Sequence, residues 1–284
     1  MGHSRPGFRF IVRGGLLLSL LLLNACADIP ERLHLLHSGD RAHACQAPGR
    51  GAIADVGLSP HVFTLTTWNI CKGCRRGWKQ DLRQLASRSD LLLLQEARLE
   101  PDLESLLKDL HMTWSMAHAF SLEGSPAGVL TSARITPLAA CGQRIFEPYL
   151  RLPKTAMISY FSIAGHARSL LVVNIHGVNF APGTTELVSQ FKAIQETIAE
   201  HQGPVIIAGD FNTWSRKRMA ALKQLAEESG LRAVEFQGQP SLHFGRRLDH
   251  VYYRGLIPLQ ARAMALQSSD HHPLSVTFKL DKDS

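Results

Sequence analysis

The chain has 284 residues, 45% hydrophobic and 19% charged, proportions of a folded globular protein that exclude a disordered or low-complexity chain. That length suits one large domain. A formal charge of +7 permits nucleic acid, phosphorylated substrates or anionic membrane surfaces as partners, and selects none of them.

In chain order, the first residues read as a targeting segment. Arg5, Arg9 and Arg13 precede an apolar run from Gly14 to Leu23, and Asn24-Ala25-Cys26 follows. The run is too short to favour a membrane span. A basic start, a short apolar stretch and a break mark a secretory signal, and the cysteine makes it similar to a bacterial lipoprotein signal. On that reading residues 1–25 are removed, Cys26 is lipidated, and the lipid anchors the protein to a membrane, facing the periplasm or cell surface. Losing those three arginines with no acid lowers the charge from +7 to +4. An uncleaved signal anchor is the alternative, because Asn24 is not the usual small residue there. Residues 26–60, rich in Pro, Gly, His and charge, are expected to form a tether with one short amphipathic stretch around Leu33-His34-Leu35-Leu36. Export makes disulfides plausible among Cys45, Cys71, Cys74 and Cys141. Without a second CxxC, Cys71-Lys72-Gly73-Cys74 reads as a local disulfide or two free thiols rather than a redox or zinc motif.

A single domain is expected over residues 61–280. Apolar runs and alternation predict strands at 62–70, 90–96, 127–131, 155–163, 169–176, 204–210, 248–253 and 274–279. Helices are predicted at 78–88, 101–110, 184–200 and 215–229. In the third, Leu187, Phe191, Ile194 and Ile198 share a face, and Gly230 stops the fourth. Buried and alternating strands interspersed with helices predict an α/β (α+β) sandwich of two packed mixed sheets flanked by helices.

Six polar phrases end or follow these strands: Thr67-Trp68-Asn69-Ile70, Leu94-Gln95-Glu96, Val173-Asn174-Ile175-His176, Gly209-Asp210-Phe211-Asn212, Leu248-Asp249-His250 and Ser269-Asp270-His271-His272-Pro273. Each alone has an ordinary reading as a strand end, turn or core histidine. Gathered at one rim, such Asp, Asn, Glu and His side chains can hold a divalent cation and a phosphate together.

The ordered set resembles the endonuclease/exonuclease/phosphatase superfamily, the DNase I-like proteins, over about residues 63–278. It is similar within that group to the bacterial YafD-type proteins, which have runs like Val173–Phe180, Gly209–Ser215 and Phe244–Asp249. The resemblance implies a four-layer fold and hydrolysis of phosphoester bonds with Mg²⁺ or Mn²⁺. It assigns Glu96 as the main metal ligand, with Asn69 beside it as ligand or supporting partner, and Asp270 on the far side. Asp210 would take a proton from, or orient, the attacking water, and Asn212 would bond that water or a phosphoryl oxygen. His271, oriented by Asp249, would contact the phosphate, and His176 would contact it too and could protonate the leaving oxygen. Lys154 is expected to be solvated, Arg216-Lys217-Arg218 to be the wet face of a helix start, and His250 and His272 to pack. Nucleic acid is the leading substrate class and a phospholipid or other small phosphodiester the second. A catalytically silent ligand-binding lipoprotein is a third reading. A monomer is expected.

Overall fold

A computed structural model of the chain describes residues 27–39, 48, 53–181, 183–243 and 245–281. The targeting segment, Cys26 and Cys45 lie outside them. Strands β1 (Ala27–Asp28), β2 (His34–His37), β3 (Phe63–Asn69), β4 (Leu91–Arg98), β5 (Thr113–Leu122), β6 (Ser125–Ala133), β7 (Ala139–Phe146) and β8 (Pro153–Phe161) make up the first half. The second half carries β9 (Leu170–His176), β10 (Val205–Asp210), β11 (Arg232–Ala233), β12 (Gln237–Gly238), β13 (Asp249–Arg254), β14 (Leu256–Ala263) and β15 (Leu274–Leu280). Helices α1 (Trp78–Ser87), α2 (Pro101–Asp109), α3 (Thr185–Glu200) and α4 (Arg216–Glu228) connect them. All eight predicted strands and all four predicted helices form.

Among the described residues the strands build a nine-stranded sheet, ordered β1-β5-β6-β4-β3-β15-β14-β12 with β2 also on β5, and a six-stranded sheet, β11-β13-β10-β9-β8-β7. Both are mixed: β3 with β4, β12 with β14, and β9 with β10 pair parallel, and the other ladders among the described residues are antiparallel. Side-chain alternation sorts the apolar residues into layers. Leu91 and Leu93 of β4 and Ile206 and Ala208 of β10 meet in the core between the sheets. Their neighbours Leu92 and Leu94 face α1 and α2, where Leu82, Leu85, Leu103 and Leu107 pack. Val205 and Ile207 face α3 and α4, against Leu187, Phe191, Ile194 and Leu222. Strands buried on both faces therefore read as continuous apolar runs, and the architecture is a four-layer α/β/β/α sandwich.

Helix ends follow their sequence signals. Pro101 opens α2, with Asp102 and Glu104 in its first turn and Lys108 in its last, a charge order that complements the helix dipole. Ser215 caps α4 by accepting from the Arg218 amide.

The expected tether is corrected along residues 27–39. β1 pairs antiparallel with the end of β5, and β2 pairs with its middle, from His34 opposite His118 to His37 opposite Ser115. Leu33 and Leu35 pack on Ala117, Val129, Ala140 and Met157. The stretch taken as amphipathic is thus an edge strand whose apolar side chains close one flank of the sandwich. Among the described residues no helix is long and apolar enough to cross a membrane.

Candidate active site

The parallel pairing of β9 with β10 and the antiparallel pairing of β10 with β13 put three functional residues in one row. Asp210 stands opposite His176 on one side and Asp249 on the other, so adjacent strands about 4.8 Å apart deliver an imidazole and two carboxylates to the same edge. Gly209 makes this approach possible: it has φ +142°, and a Cβ there would lie 2.1 Å from the Ile175 carbonyl oxygen.

The other sheet supplies the facing edge. Asn69 ends β3 opposite Gln95 of β4. The register of β4 against β6 then shifts between Leu94 and Ala97, and Glu96 adopts φ +49°. A left-handed backbone is unusual for glutamate and is held here by a bulge, a device that re-aims side chains at active sites. Beneath them, Gln95 Nε2 donates to Asn174 Oδ1 at 2.6 Å, and Asn174 Nδ2 donates to the Leu130 carbonyl at 2.9 Å. This buried amide network ties the two sheets together directly under the site.

His271 enters from the turn before β15. Ser269 Oγ donates to the Asn69 carbonyl at 2.7 Å and accepts from the His271 amide at 3.2 Å, while Trp68 Nε1 donates to the His271 carbonyl at 2.9 Å. The loop is therefore fixed to the end of β3.

Asp249 Oδ2 lies 2.7 Å from His271 Nδ1, and Asp210 Oδ2 lies 3.9 Å from His271 Nε2. Asp210 also lies 3.6 Å from His176 Nε2, which is 3.8 Å from Glu96 Oε1. Asn69 Nδ2 and the Asn212 amide donate to the two oxygens of Asp210, at 3.1 and 2.9 Å. Asn212 Nδ2 donates to the Gly177 carbonyl at 2.9 Å. Seven of the eight predicted site residues thus converge. Asn69 Nδ2 bonds Asp210 and its Oδ1 accepts from the Cys71 amide at 3.0 Å.

The electrostatics divide the two histidines. Burial opposes charge on His271, but Asp249 and then Asp210 outweigh it and push its pKa up to about 10. Burial lowers the pKa of His176, Lys154 lowers it further, and the result is about 3 despite Asp210 and Glu96. His271 is a cation at neutral pH and His176 is neutral. Burial would raise the pKa of Glu96, yet Lys72, His176 and Lys154 together hold it well below the usual carboxylate range.

The His271 charge should be visible in a pH profile. Its folded pKa lies above the ordinary 6.5, so the Asp249 pair stabilises the fold fully below about pH 6.5 and loses that contribution as pH rises through about 10. With Asp249→Asn, the pKa of His271 is expected to fall toward neutrality. Phosphoester kcat/KM should then decline from near pH 7 upward, where the wild type stays flat to about pH 9. An NMR titration of His271 run beside the rate profile checks both.

Three residues, Asp270, Lys154 and Arg218, stand elsewhere than the sequence suggested, and two more were not foreseen. Asp270 is exposed, accepts from Ser269 Oγ at 3.3 Å, and is absent from the buried Asp210–Asp249–His271 group. The bend before β15 carries His271 inward and leaves Asp270 exposed. Lys154 is not solvated: its Nζ lies 2.9 Å from His176 Nε2 and 4.0 Å from Glu147 Oε1. Lys72 was not foreseen and pairs with Glu96. It sits inside the Cys71–Cys74 disulfide at φ +55°, so the closed loop aims its amine at the site. Cys141 is disulfide-bonded as well. Arg218, expected on a wet helix face, is fully buried. Its guanidinium donates to the Asn212 carbonyl at 2.7 Å, to Val178 and Gly183 carbonyls, and stacks on Trp214. His243, also unforeseen, lays its ring on His271 with centroids 4.6 Å apart; it comes from a loop with no strand or helix signal.

Arg218 holds the Asn212 turn, where φ is +51°. Arg218→Met keeps the volume but leaves the buried Asn212 and Val178 carbonyls without this donor. A loss of about 3 kcal/mol is expected, read as a lower urea midpoint with unchanged slope.

Two groups could take a metal. In the Asp210–Asp249–His271 cluster the ligand atoms lie within 4.8 Å of one another, but its carboxylates already neutralise the His271 cation, and a metal there would need that proton removed. Glu96 fits better. Its carboxylate follows the bulge, and its directly paired cation is the partly exposed Lys72 ammonium, which an incoming cation can displace. One firm carboxylate with remaining positions left to water suits Mg²⁺ or Mn²⁺.

Two sheets packed face to face, with carboxylates, amides and histidines where strands of both end, define a DNase I-like sandwich. The chain belongs to the endonuclease/exonuclease/phosphatase family, whose model matches residues 66–271. A UPF0294 protein of Yersinia pseudotuberculosis is 40% identical over 240 residues, covering 82% of this chain and 92% of that protein. One from Vibrio campbellii is 41% identical over 221 residues, covering 77% and 78%. These bear out the expected bacterial branch. The human Nocturnin catalytic domain, solved with a bound sulfate anion, superposes with a TM-score of 0.60 at 18% identity, covering 79% of this chain and 96% of that one. ANGEL2, a 2',3'-cyclic phosphatase, superposes with a TM-score of 0.58 at 13% identity, covering 77% and 95%. Those two likenesses show the fold.

Proposed function

We propose that this protein is a divalent-metal-assisted phosphodiesterase whose reacting phosphorus sits between Asp210, His271 and Glu96. The observation that carries this is the Asp249–His271 contact of 2.7 Å beside a second buried carboxylate, Asp210. It provides a fixed cation for phosphoryl oxygens next to a base for water. The sulfate bound by the Nocturnin domain, a tetrahedral oxyanion, agrees with that use of the fold.

Asp210 takes a proton from water, whose oxygen bonds to phosphorus while the ester oxygen leaves and picks up a proton. Asn212 and Asn69 hold Asp210 in place. His271 stays protonated and stabilises charge on the phosphoryl oxygens. On the other flank Lys154, braced by neutral His176, is a second cation beside the Lys72–Glu96 pair and the donor to the departing oxygen. Bound at Glu96, the metal would neutralise developing charge and orient the phosphate. The intact set speaks against a silent binding scaffold, which has no need of a buried carboxylate–imidazolium pair. Purified full-length protein should hydrolyse bis-p-nitrophenyl phosphate with Mg²⁺ or Mn²⁺ and stop in EDTA. Turnover that persists in EDTA rules the metal out, and binding without turnover favours the silent scaffold.

We also propose export and anchoring through Cys26, supported by the residues before it in the sequence. Cys26→Ser should move the protein from the membrane to the soluble fraction. Unchanged membrane retention points to an uncleaved anchor.

A further inference from the structure

The site opens sideways into a cavity of about 240 Å³ that reaches Glu96, His176 and Lys154. Phe120, Leu122, Ala127, Leu150, Leu152 and Phe180 contribute to its walls. Asp210, Asp249 and His271 do not line it. Lys72, Glu147 and Thr155 also reach it, so one end is charged and polar and most of the remaining wall is hydrocarbon, a combination that fits an amphiphile lying with its phosphate at the charged end.

We infer that the substrate is a phosphoester carrying an apolar alkyl or acyl arm, which this cavity binds beside the reacting phosphate. The inference rests on the phosphodiesterase reading and specifies its substrate class. Phe120 and Phe180 offer ring faces, but the polar edges of a nucleobase would lose water against the Leu122, Ala127, Leu150 and Leu152 walls. A nucleic-acid path is instead an open basic groove that tracks the backbone. At about 30 Å³ per water-sized group, the volume takes roughly eight heavy atoms. One hydrocarbon segment of that length fits. Ala27 also lines the cavity, so its wall adjoins the residue after Cys26. An anchored protein would hold this opening near a lipid surface.

The test is a series of methyl n-alkyl phosphodiesters from ethyl to decyl, hydrolysed by the full-length protein with Mn²⁺ and followed by mass spectrometry. Each added methylene should raise kcat/KM about fourfold, levelling near octyl as the cavity fills. Leu122→Glu, which charges the wall, should flatten that dependence. A flat series in the wild type overturns the inference, as does an oligonucleotide cleaved with a higher kcat/KM than the octyl ester. If no ester turns over, the phosphodiesterase reading fails and the cavity is judged by calorimetry. Octylphosphonate binding at least tenfold tighter than methylphosphonate supports the arm, and equal affinities overturn it. Anionic phospholipid vesicles beside the dissolved octyl ester assign the source: hydrolysis in vesicles indicates a membrane lipid, and hydrolysis of the dissolved ester alone a soluble amphiphile.

Discussion

Asp210→Asn is expected to lower kcat on a metal-activated phosphodiester by about 10³–10⁴-fold, the upper range for loss of a positioned general base. No neighbour can take over the proton. His271 is already protonated, with its pKa near 10, and the Nε2 of His176 faces Lys154 at 2.9 Å. Structural disturbance should stay small, because the amide keeps the shape and one of its atoms still accepts from the Asn212 amide. The other atom becomes a donor facing Asn69 Nδ2, a mismatch costing about 1–2 kcal/mol and readable by urea denaturation. KM should change by less than about threefold and Mn²⁺ affinity should hold, since neither depends on the base. A variant within tenfold of wild-type kcat would remove Asp210 from the water-activating role.

The sequence exposed the parts of this site that depend on strand ends and concealed those that depend on local backbone exceptions. Asn69, His176 and Asp210 close their strands and Asp249 opens β13, so parity and pairing carry them to the rim without further information. Glu96 was legible as a carboxylate after four leucines, but not the bulge that holds it at φ +49°. Lys72 could not be read because its position depends on a disulfide loop with left-handed backbone. Lys154 follows a proline at the start of β8, where solvation and burial look alike until β9 is known to lie beside it. The unforeseen strands have a common cause. β5 and β7 carry serine, histidine, glutamine or arginine within weak alternation, and β14 contains Pro258 at a register shift. With β5 unrecognised, β2 had no partner to dock on, and a real edge strand read as tether.

Glu96→Gln is expected to weaken Mn²⁺ binding by at least about 100-fold and to lower kcat about 10³-fold even at high metal. Glu96 is the ionised carboxylate best placed to take a hard cation here, and a neutral amide supplies oxygen without charge. Binding is checked by calorimetry on the protein alone, apart from any turnover. A second signature comes from stability. The Glu96 pKa is held below its ordinary 4.5 against the effect of burial, chiefly by Lys72. The carboxylate therefore stabilises the fold above about pH 4.5 and loses that contribution as pH falls below it. Wild type should exceed Glu96→Gln in urea midpoint near pH 7 and converge with it on acidification. Metal affinity also separates this variant from Asp210→Asn: both lose turnover, but only the loss at Glu96 should take the metal with it. If both variants bind Mn²⁺ like wild type, the cation lies elsewhere, and the Asp210–Asp249–His271 group becomes the next place to look.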